Sequence, residues 1–230
     1  LSRTLDTVGP LARSVADCVA LDMLLRGTAV ADVHRRDLRG VVFIVPTNLV
    51  MEGAEPAVVA NFDNALEALA RAGAVITRKP LPVLDDIAAV THRHGSLTAA
   101  EAYFEYHEIV DGERVKMVDR RVVHRILRGR EMSAFDLLSV REMRRAAIAA
   151  MNSELADAFL ATPTTPITAP AIAPLDADDT LFHEVNLRAL RNTMLGNNLR
   201  QCGLAIPNGR DANNMPTSIL ISAPHGADAR

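Results

Sequence analysis

The sequence is poor in aromatic residues, lysine and cysteine. It contains no Trp and only two Tyr, and aromatic side chains make up 3% of the 230 residues. A core must therefore be built from aliphatic side chains, which a hydrophobic content of 49% can supply. No apolar run is long enough to span a bilayer, so we expect no membrane partner. The two cysteines, Cys18 and Cys202, form no metal or redox motif, and this pattern favours a reducing, cytoplasmic location.

A strong basic excess is also missing. The formal net charge is −3 and the isoelectric point is near 6.2. A nucleic-acid-binding domain usually carries a clustered positive surface, so we expect no nucleic-acid partner. The locally basic stretch from Arg114 to Arg145 is interleaved with acids, which predicts a solvated helical surface.

The hydrophobic pattern predicts alternating strands and helices. The run Val41 to Val45 predicts a buried strand, and a helix from Pro56 to Gly73 leads to a second strand at Ala74 to Thr77. This unit predicts two parallel strands. The remaining predicted helices are Ser14–Gly27, Asp85–Tyr106, Val115–Leu127, Ser133–Ala158 and Leu181–Gln201, and the remaining strands are Ala158–Ala161, Gly203–Pro207 and Thr217–Ala223. We predict one α/β domain over residues 1–230, with helices packed around the sheet in α/β/α layers.

Four segments resemble the amidase-signature family of hydrolases, in the family's order. They are RTLDTVGPLARSVAD near the start, EAYFEYHEIV at 101–110, FLATPTTPITAPAI at 159–172, and the stretch from 191 to 230 that contains LAIPNG and MPTSILISAPHG. The resemblance implies a mixed, largely parallel sheet and hydrolysis of carbon–nitrogen bonds in carboxylic amides. It also implies a small-molecule amide substrate and no cofactor or metal. Assembly into a homo-oligomer is left open.

The family's catalytic groups are missing from this sequence. Members use a serine nucleophile, a second serine with a cis peptide bond, and a lysine base. Here no Ser-Ser dipeptide occurs, and neither Lys79 nor Lys116 lies in an apolar or Gly/Ser-rich context. The matching segments follow the triad in the family, so we predict no catalytic residue here. We expect a carboxyl-terminal part that lacks the catalytic half and is inactive alone.

Two alternatives stay open. One is a fragment of the glutamine-hydrolysing subunit of a tRNA-dependent amidotransferase, which typically carries an Arg-Tyr-Asp-Gly segment where this chain has EAYFEYHEIV. The other is a non-catalytic remnant of the fold that binds a partner. A stable, cooperatively melting chain with little exposed apolar surface would favour the remnant.

The resemblance also suggests residues that line the substrate pocket. Three lie in the 101–110 segment, and three match the family's loops at the ends of sheet strands, where α/β proteins place ligands. The six predicted substrate-binding residues are Glu101, Tyr103, His107, Thr164, Thr165 and Asn192. Helix capping and loop hydrogen bonds are the alternative role for the threonines and the asparagine.

Other reactive side chains are assigned structural roles. Ser96 follows Gly95, but the sequence there is not the G-x-S-x-G turn of a nucleophilic serine. On a helix, His92 and His94 would point about 200° apart, which argues against a shared metal ion. Cys202 lies in an apolar setting and is predicted to be a buried, inert thiol.

Overall fold

Helices cover both faces of a five-stranded sheet. The computed structural model describes residues 2–30 and 35–229. In these residues the strands are β1 (Val42–Pro46), β2 (Val75–Lys79), β3 (Phe159–Pro163), β4 (Cys202–Arg210) and β5 (Pro216–Ala223). The α-helices are α1 (Val15–Leu25), α2 (Pro56–Arg71), α3 (Pro82–His94), α4 (Leu97–Val110), α5 (Arg120–Arg130), α6 (Ala134–Leu155), α7 (Ile172–Ala177) and α8 (Asp179–Asn198), with a 3-10 helix at Glu113–Met117. No helix in these ranges is long and apolar enough to cross a membrane.

The sheet is mixed and largely parallel, as predicted. Its strand order is β2-β1-β3-β5-β4. β1 pairs in parallel with β2 and with β3, whereas β5 pairs antiparallel with β3 and with β4. Among the described strands, four therefore run in one direction and β5 opposes them. The predicted strand–helix–strand unit is confirmed as β1-α2-β2.

Alternating side chains of β1 divide the core into two layers. Phe43 and Val45 pack with Phe62 and Leu66 of α2 on one face. Ile44 points to the other face, where it joins a cluster supplied by α3, α6 and α8, including the fully buried Met151. Successive side chains of a strand point to opposite faces, so a continuous apolar run serves both layers. The α/β/α architecture is confirmed.

The predicted helix over Asp85–Tyr106 is wrong, because two helices occupy this range. Gly95 ends α3 with a positive φ of 86°, a conformation that glycine adopts without steric cost. Ser96 then caps α4, since its side chain accepts a hydrogen bond from the Ala99 backbone N–H. The residue considered as a nucleophile is a helix cap.

The helix boundaries around residue 119 also differ from the prediction. The range predicted as one helix over Val115–Leu127 contains the end of the 3-10 helix and most of α5, separated at Val118 and Asp119. Asp119 caps α5 by accepting a hydrogen bond from the Arg121 N–H. The short helix α7 was not predicted, because it follows a Pro-rich loop and is only one to two turns long.

The first helix forms where predicted, but its apolar side chains are uncovered. Ser14 caps α1 by accepting a hydrogen bond from the Asp17 N–H. No residue of α1 is buried, and Leu24 and Leu25 are 62% and 60% exposed. Most helices in globular proteins gain their stability by burying an apolar face, which α1 does not do here.

Candidate substrate-side site

Asn192 ties α8 to the loops at the carboxyl ends of β1 and β3. Its side chain is 3% exposed. Its Nδ2 donates to the Pro163 carbonyl at 2.9 Å and to the Val50 carbonyl at 3.1 Å. Its Oδ1 accepts a long hydrogen bond of 3.4 Å from Arg191 Nε. The amide is thus occupied by the protein itself, and it fixes the loop where β3 ends.

The two predicted threonines lie on that loop but differ in their hydrogen bonds. Thr165 Oγ1 donates to the Ile167 carbonyl at 2.8 Å, which closes the loop. The backbone N–H of Thr164 donates to the Ser218 carbonyl at 3.0 Å and extends the sheet contact with β5. Thr164 Oγ1 is buried and has no partner among the described residues. Of the two hydroxyls, that of Thr164 keeps its hydrogen-bonding capacity.

A carboxylate that the sequence did not suggest holds the far end of the same loop. Glu55 Oε2 accepts hydrogen bonds from the Thr168 N–H at 2.9 Å and from Thr168 Oγ1 at 2.8 Å. Thr168 Oγ1 also lies 3.0 Å from Asp211 Oδ2. Glu55 precedes the Pro at the start of α2, a position that indicates only a helix start. Its partner is 113 residues away, so no local signal could identify it.

Glu101 is used to hold the first described residues of the chain. Its carboxylate accepts hydrogen bonds from the hydroxyls of Ser2 and Thr4 and from the Thr4 N–H at 3.1 Å. Burial alone raises the pKa of Glu101, but these donors outweigh it and hold the pKa below its ordinary value. Leu5 follows and packs with Leu97 and Val140. Glu101 thus anchors the Ser2–Leu5 segment to α4.

Tyr103 and His107 lie one turn apart on α4. The Tyr103 hydroxyl donates to Asp111 Oδ2 at 2.6 Å, and this hydrogen bond raises the pKa of the phenol. The two rings meet edge to face with centroids 6.2 Å apart. His107 Nδ1 lies 3.0 Å from the Phe104 carbonyl, and the side chain is otherwise exposed.

The structure therefore forms two groups from the six predicted residues. Thr164, Thr165 and Asn192 meet at the carboxyl end of β3, while the other three lie on α4. No hydrogen bond within residues 2–30 and 35–229 joins one group to the other. In the first group, the Thr164 hydroxyl has no hydrogen-bond partner in the described residues. In the second group, the Glu101 carboxylate is hydrogen-bonded to the Ser2–Leu5 segment.

Neither lysine is placed as a base. Lys79 forms an ion pair with Glu154, and Lys116 pairs with Glu113 at 2.6 Å on an exposed surface. In the part of the chain that is described, no serine hydroxyl is hydrogen-bonded to a lysine. A serine needs such an adjacent base to attack an amide.

The described residues also form neither a metal site nor a reactive thiol. No group of three His, Cys, Asp or Glu side chains there could hold a metal ion. His94 Nδ1 instead contacts Asp136 Oδ1 at 2.7 Å. Burial raises the pKa of the Cys202 thiol, which makes the thiolate scarce at neutral pH.

Comparisons with known proteins point to one family. The family model described as Amidase matches residues 1–230. The 2-amino-5-chloromuconic acid deaminase of Comamonas testosteroni is 33% identical over 242 residues, which include 100% of this chain and 50% of the deaminase. The A subunit of the Glutamyl-tRNA(Gln) amidotransferase of Corynebacterium diphtheriae is 25% identical over 268 residues, with 99% of this chain and 53% of that protein covered.

Solved structures agree on the fold. A crystal structure of an amidase superimposes with a TM-score of 0.81 at 23% identity, over 99% of this chain and 51% of that one. The A subunit of the Glutamyl-tRNA(Gln) amidotransferase of Thermotoga maritima gives a TM-score of 0.71 at 22% identity, over 99% and 51%. The chain spans about half the length of the curated relatives it matches.

Proposed function

Because the chain belongs to the Amidase family, we propose that it is the carboxyl-terminal part of an enzyme that hydrolyses carbon–nitrogen bonds in small carboxylic amides. In this proposal residues 1–230 form a single unit that supplies sheet strands, packing helices and one wall of the substrate pocket. The nucleophile and its base belong to the preceding part of the polypeptide. The chain alone is then inactive.

The observation that carries the proposal is the family match over the whole chain combined with coverage of only half of each relative. Two structural features support it. No serine in the described ranges is paired with a lysine, and α1 exposes its leucines to solvent. An apolar helix face of this kind is what a further packed layer would cover.

The substrate side of the proposal assigns different roles to the two groups of residues. Thr164, with its unpartnered buried hydroxyl, is the residue proposed to hydrogen-bond the substrate. Thr165 and Asn192 would hold its loop. Glu101 would hold the segment that begins at Ser2, while Tyr103 and His107 would line the entrance.

A second candidate function is supported by the matches to the A subunits of two amidotransferases. In that case the substrate amide is glutamine. We favour a small carboxylic amide other than glutamine, because the relative at 33% identity is a deaminase named for a small organic acid, whereas the amidotransferase match is at 25%.

An amide-hydrolysis assay tests the inactivity of the chain. Ammonia release from benzamide and from glutamine would be measured with the purified 230 residues. We expect no release above the uncatalysed rate. Turnover at the rate of a typical enzyme would contradict the proposal.

The coding DNA upstream of the Leu1 codon tests whether the catalytic half belongs to the same polypeptide. An in-frame segment that encodes a Gly-Gly-Ser loop would support the amide hydrolase. The longer polypeptide is then expected to hydrolyse benzamide; hydrolysis of glutamine alone would favour the amidotransferase. An in-frame stop codon with no such loop would favour a non-catalytic partner-binding protein.

A further inference from the structure

A basic cluster lies at the carboxyl end of α8. Arg144 of α6 donates through Nε to the Asn198 carbonyl at 3.0 Å, which places its guanidinium against the last residue of α8. Arg200 follows two residues later in a left-handed conformation, with φ at 53°. Arg200 Nη2 lies 3.4 Å from His225 Nε2, just beyond the end of β5. The Arg200–His225 pair thus follows the end of α8 that the Arg144 guanidinium contacts, and the charge of Arg200 acts on Arg144.

The charges of the two arginines are not neutralised by ion pairs. Neither Arg144 nor Arg200 pairs with an acid in the described ranges, and Arg144 Nη2 is buried there without a hydrogen-bond partner. Burial lowers the pKa of Arg144, and the positive charge of Arg200 lowers it further. Glu101 has the opposite effect, but its oxygens accept hydrogen bonds from Ser2 and Thr4. A buried guanidinium N–H without an acceptor destabilises the fold. A ligand that supplies an acceptor oxygen would therefore bind favourably there.

We propose that Arg144, Arg200 and His225 form a binding site for a small carboxylate. The planar guanidinium fork matches the two oxygens of a carboxylate, and a charge-assisted pair of this kind is among the stronger hydrogen bonds. Exposed Arg200 and His225 would form the mouth of the site, and Arg144 its floor. The inference is independent of amide hydrolysis and does not involve the loop at 163–168.

The surroundings favour a singly charged ligand. The last carbonyls of α8 carry partial negative charge, because peptide dipoles align along a helix. Asn198 contributes one of these carbonyls directly beside Arg144. A phosphate dianion would be repelled more strongly there than a monovalent carboxylate.

Acetate titration of the purified chain tests the site. Arginine Nε–H signals would be followed by NMR in a low-chloride, cationic buffer at pH 7. We expect a saturable shift of the Arg144 signal. Arg200→Gln should weaken acetate binding about tenfold, while the melting temperature without acetate stays unchanged. The matched control, Arg141→Gln, removes the same charge from an exposed position on α6 and should leave acetate affinity unchanged.

Specific outcomes would overturn the proposal. A shift that does not saturate, or equal weakening by Arg141→Gln, would mean that acetate responds only to general surface charge. Tighter binding of inorganic phosphate than of acetate would refute the carboxylate assignment. Arg144→Lys keeps the charge but loses the fork, so it should weaken binding as well. If that variant fails to fold, Arg200→Gln still decides, because the exposed Arg200 side chain forms no hydrogen bond with α8 in the described residues.

Discussion

Gly129 allows α5 to approach the backbone of α4. A Cβ atom at this position would lie 2.0 Å from the Ala99 carbonyl oxygen and 2.9 Å from Tyr103 Cβ. Gly129→Ala must therefore push the two helices apart. We expect it to lower the free energy of unfolding by about 3 kcal/mol, the upper part of the range for overpacked sites. Urea unfolding followed by circular dichroism measures this change.

Gly196 provides the matched control for that experiment. It lies within α8, and a Cβ atom there would meet nothing within 4 Å. Gly196→Ala should raise the free energy of unfolding by about 0.5–1 kcal/mol, because alanine is the better helix former. Equal urea midpoints for Gly129→Ala and the unsubstituted chain would show that the helices are not in this close contact.

Glu101 makes the anchoring of the Ser2–Leu5 segment dependent on pH. Its pKa lies below the ordinary 4.5, because hydrogen bonds from Ser2 and Thr4 outweigh the effect of burial. A carboxylate with a depressed pKa stabilises the fold fully above its unfolded pKa and loses this effect as the pH falls through the folded value. Glu101→Gln should therefore lower the melting temperature at pH 7, and this difference should shrink as the pH falls below about 4.5.

A melting series from pH 7 to pH 3 checks this dependence. Glu184→Gln is the control, since Glu184 is exposed on α8 and its carboxylate accepts no hydrogen bond in the described residues. It should leave the melting temperature nearly unchanged throughout. A difference between Glu101→Gln and the unsubstituted chain that stays constant down to pH 3 would argue against the hydrogen-bonded carboxylate.

At the scale of single elements, α6 depends on the cap at its first turn. Ser133 Oγ accepts a hydrogen bond from the Asp136 N–H, and the Asp136 carboxylate accepts one from the Ser133 N–H. Hydrogen bonds from Ser133 and from His94 lower the pKa of Asp136 from 3.8 to about 2. Ser133→Ala should lower the free energy of unfolding by about 1 kcal/mol. Urea unfolding at pH 7 measures the loss.

The same cap should respond to acid. Because the pKa of Asp136 is depressed, its contribution is present above pH 3.8 and disappears as the pH falls through about 2. The difference in the free energy of unfolding between Ser133→Ala and the unsubstituted chain should become smaller over that interval. Ser139→Ala, within the same helix, should change the free energy of unfolding little at any pH in this range. A cap variant as stable as this control at pH 7 would contradict the prediction.

Individual elements differ in how far the sequence predicts them. The first strand was predictable, because Val41 to Val45 form a continuous apolar run between Gly40 and Pro46, and β1 covers most of that run. The break between α3 and α4 was missed, since apolar residues continue at helical spacing on both sides of it. A glycine followed by a capping serine was the available signal at Gly95 and Ser96.

The site was less predictable than the fold. Resemblance to the family indicated Glu101, but its partners Ser2 and Thr4 lie nearly a hundred residues away. Glu55 and Arg144 gave no signal at all, because their roles arise from contacts between distant segments. Hydrophobic periodicity reports local structure, whereas a site depends on which distant segments the fold brings together.

For the whole molecule, the exposed leucines of α1 determine how much apolar surface the isolated chain presents to solvent. Its leucines are exposed, and the proposed function assigns them to a surface covered by the rest of an amidase polypeptide. The folded 230-residue chain should therefore bind a hydrophobic dye before it melts. Leu24→Gln combined with Leu25→Gln should reduce this binding and leave the melting temperature unchanged, because neither side chain is buried.

The control for α1 is a pair of exposed apolar residues elsewhere. Ile172→Gln with Leu187→Gln removes side chains that are 74% and 49% exposed on α7 and α8. This pair should reduce dye binding less than the α1 pair, because its residues are not part of one continuous helix face. If the unsubstituted chain binds little dye and the α1 pair lowers its melting temperature, α1 is covered in solution. That result would favour a self-sufficient partner-binding protein or a homo-oligomer over part of a longer enzyme.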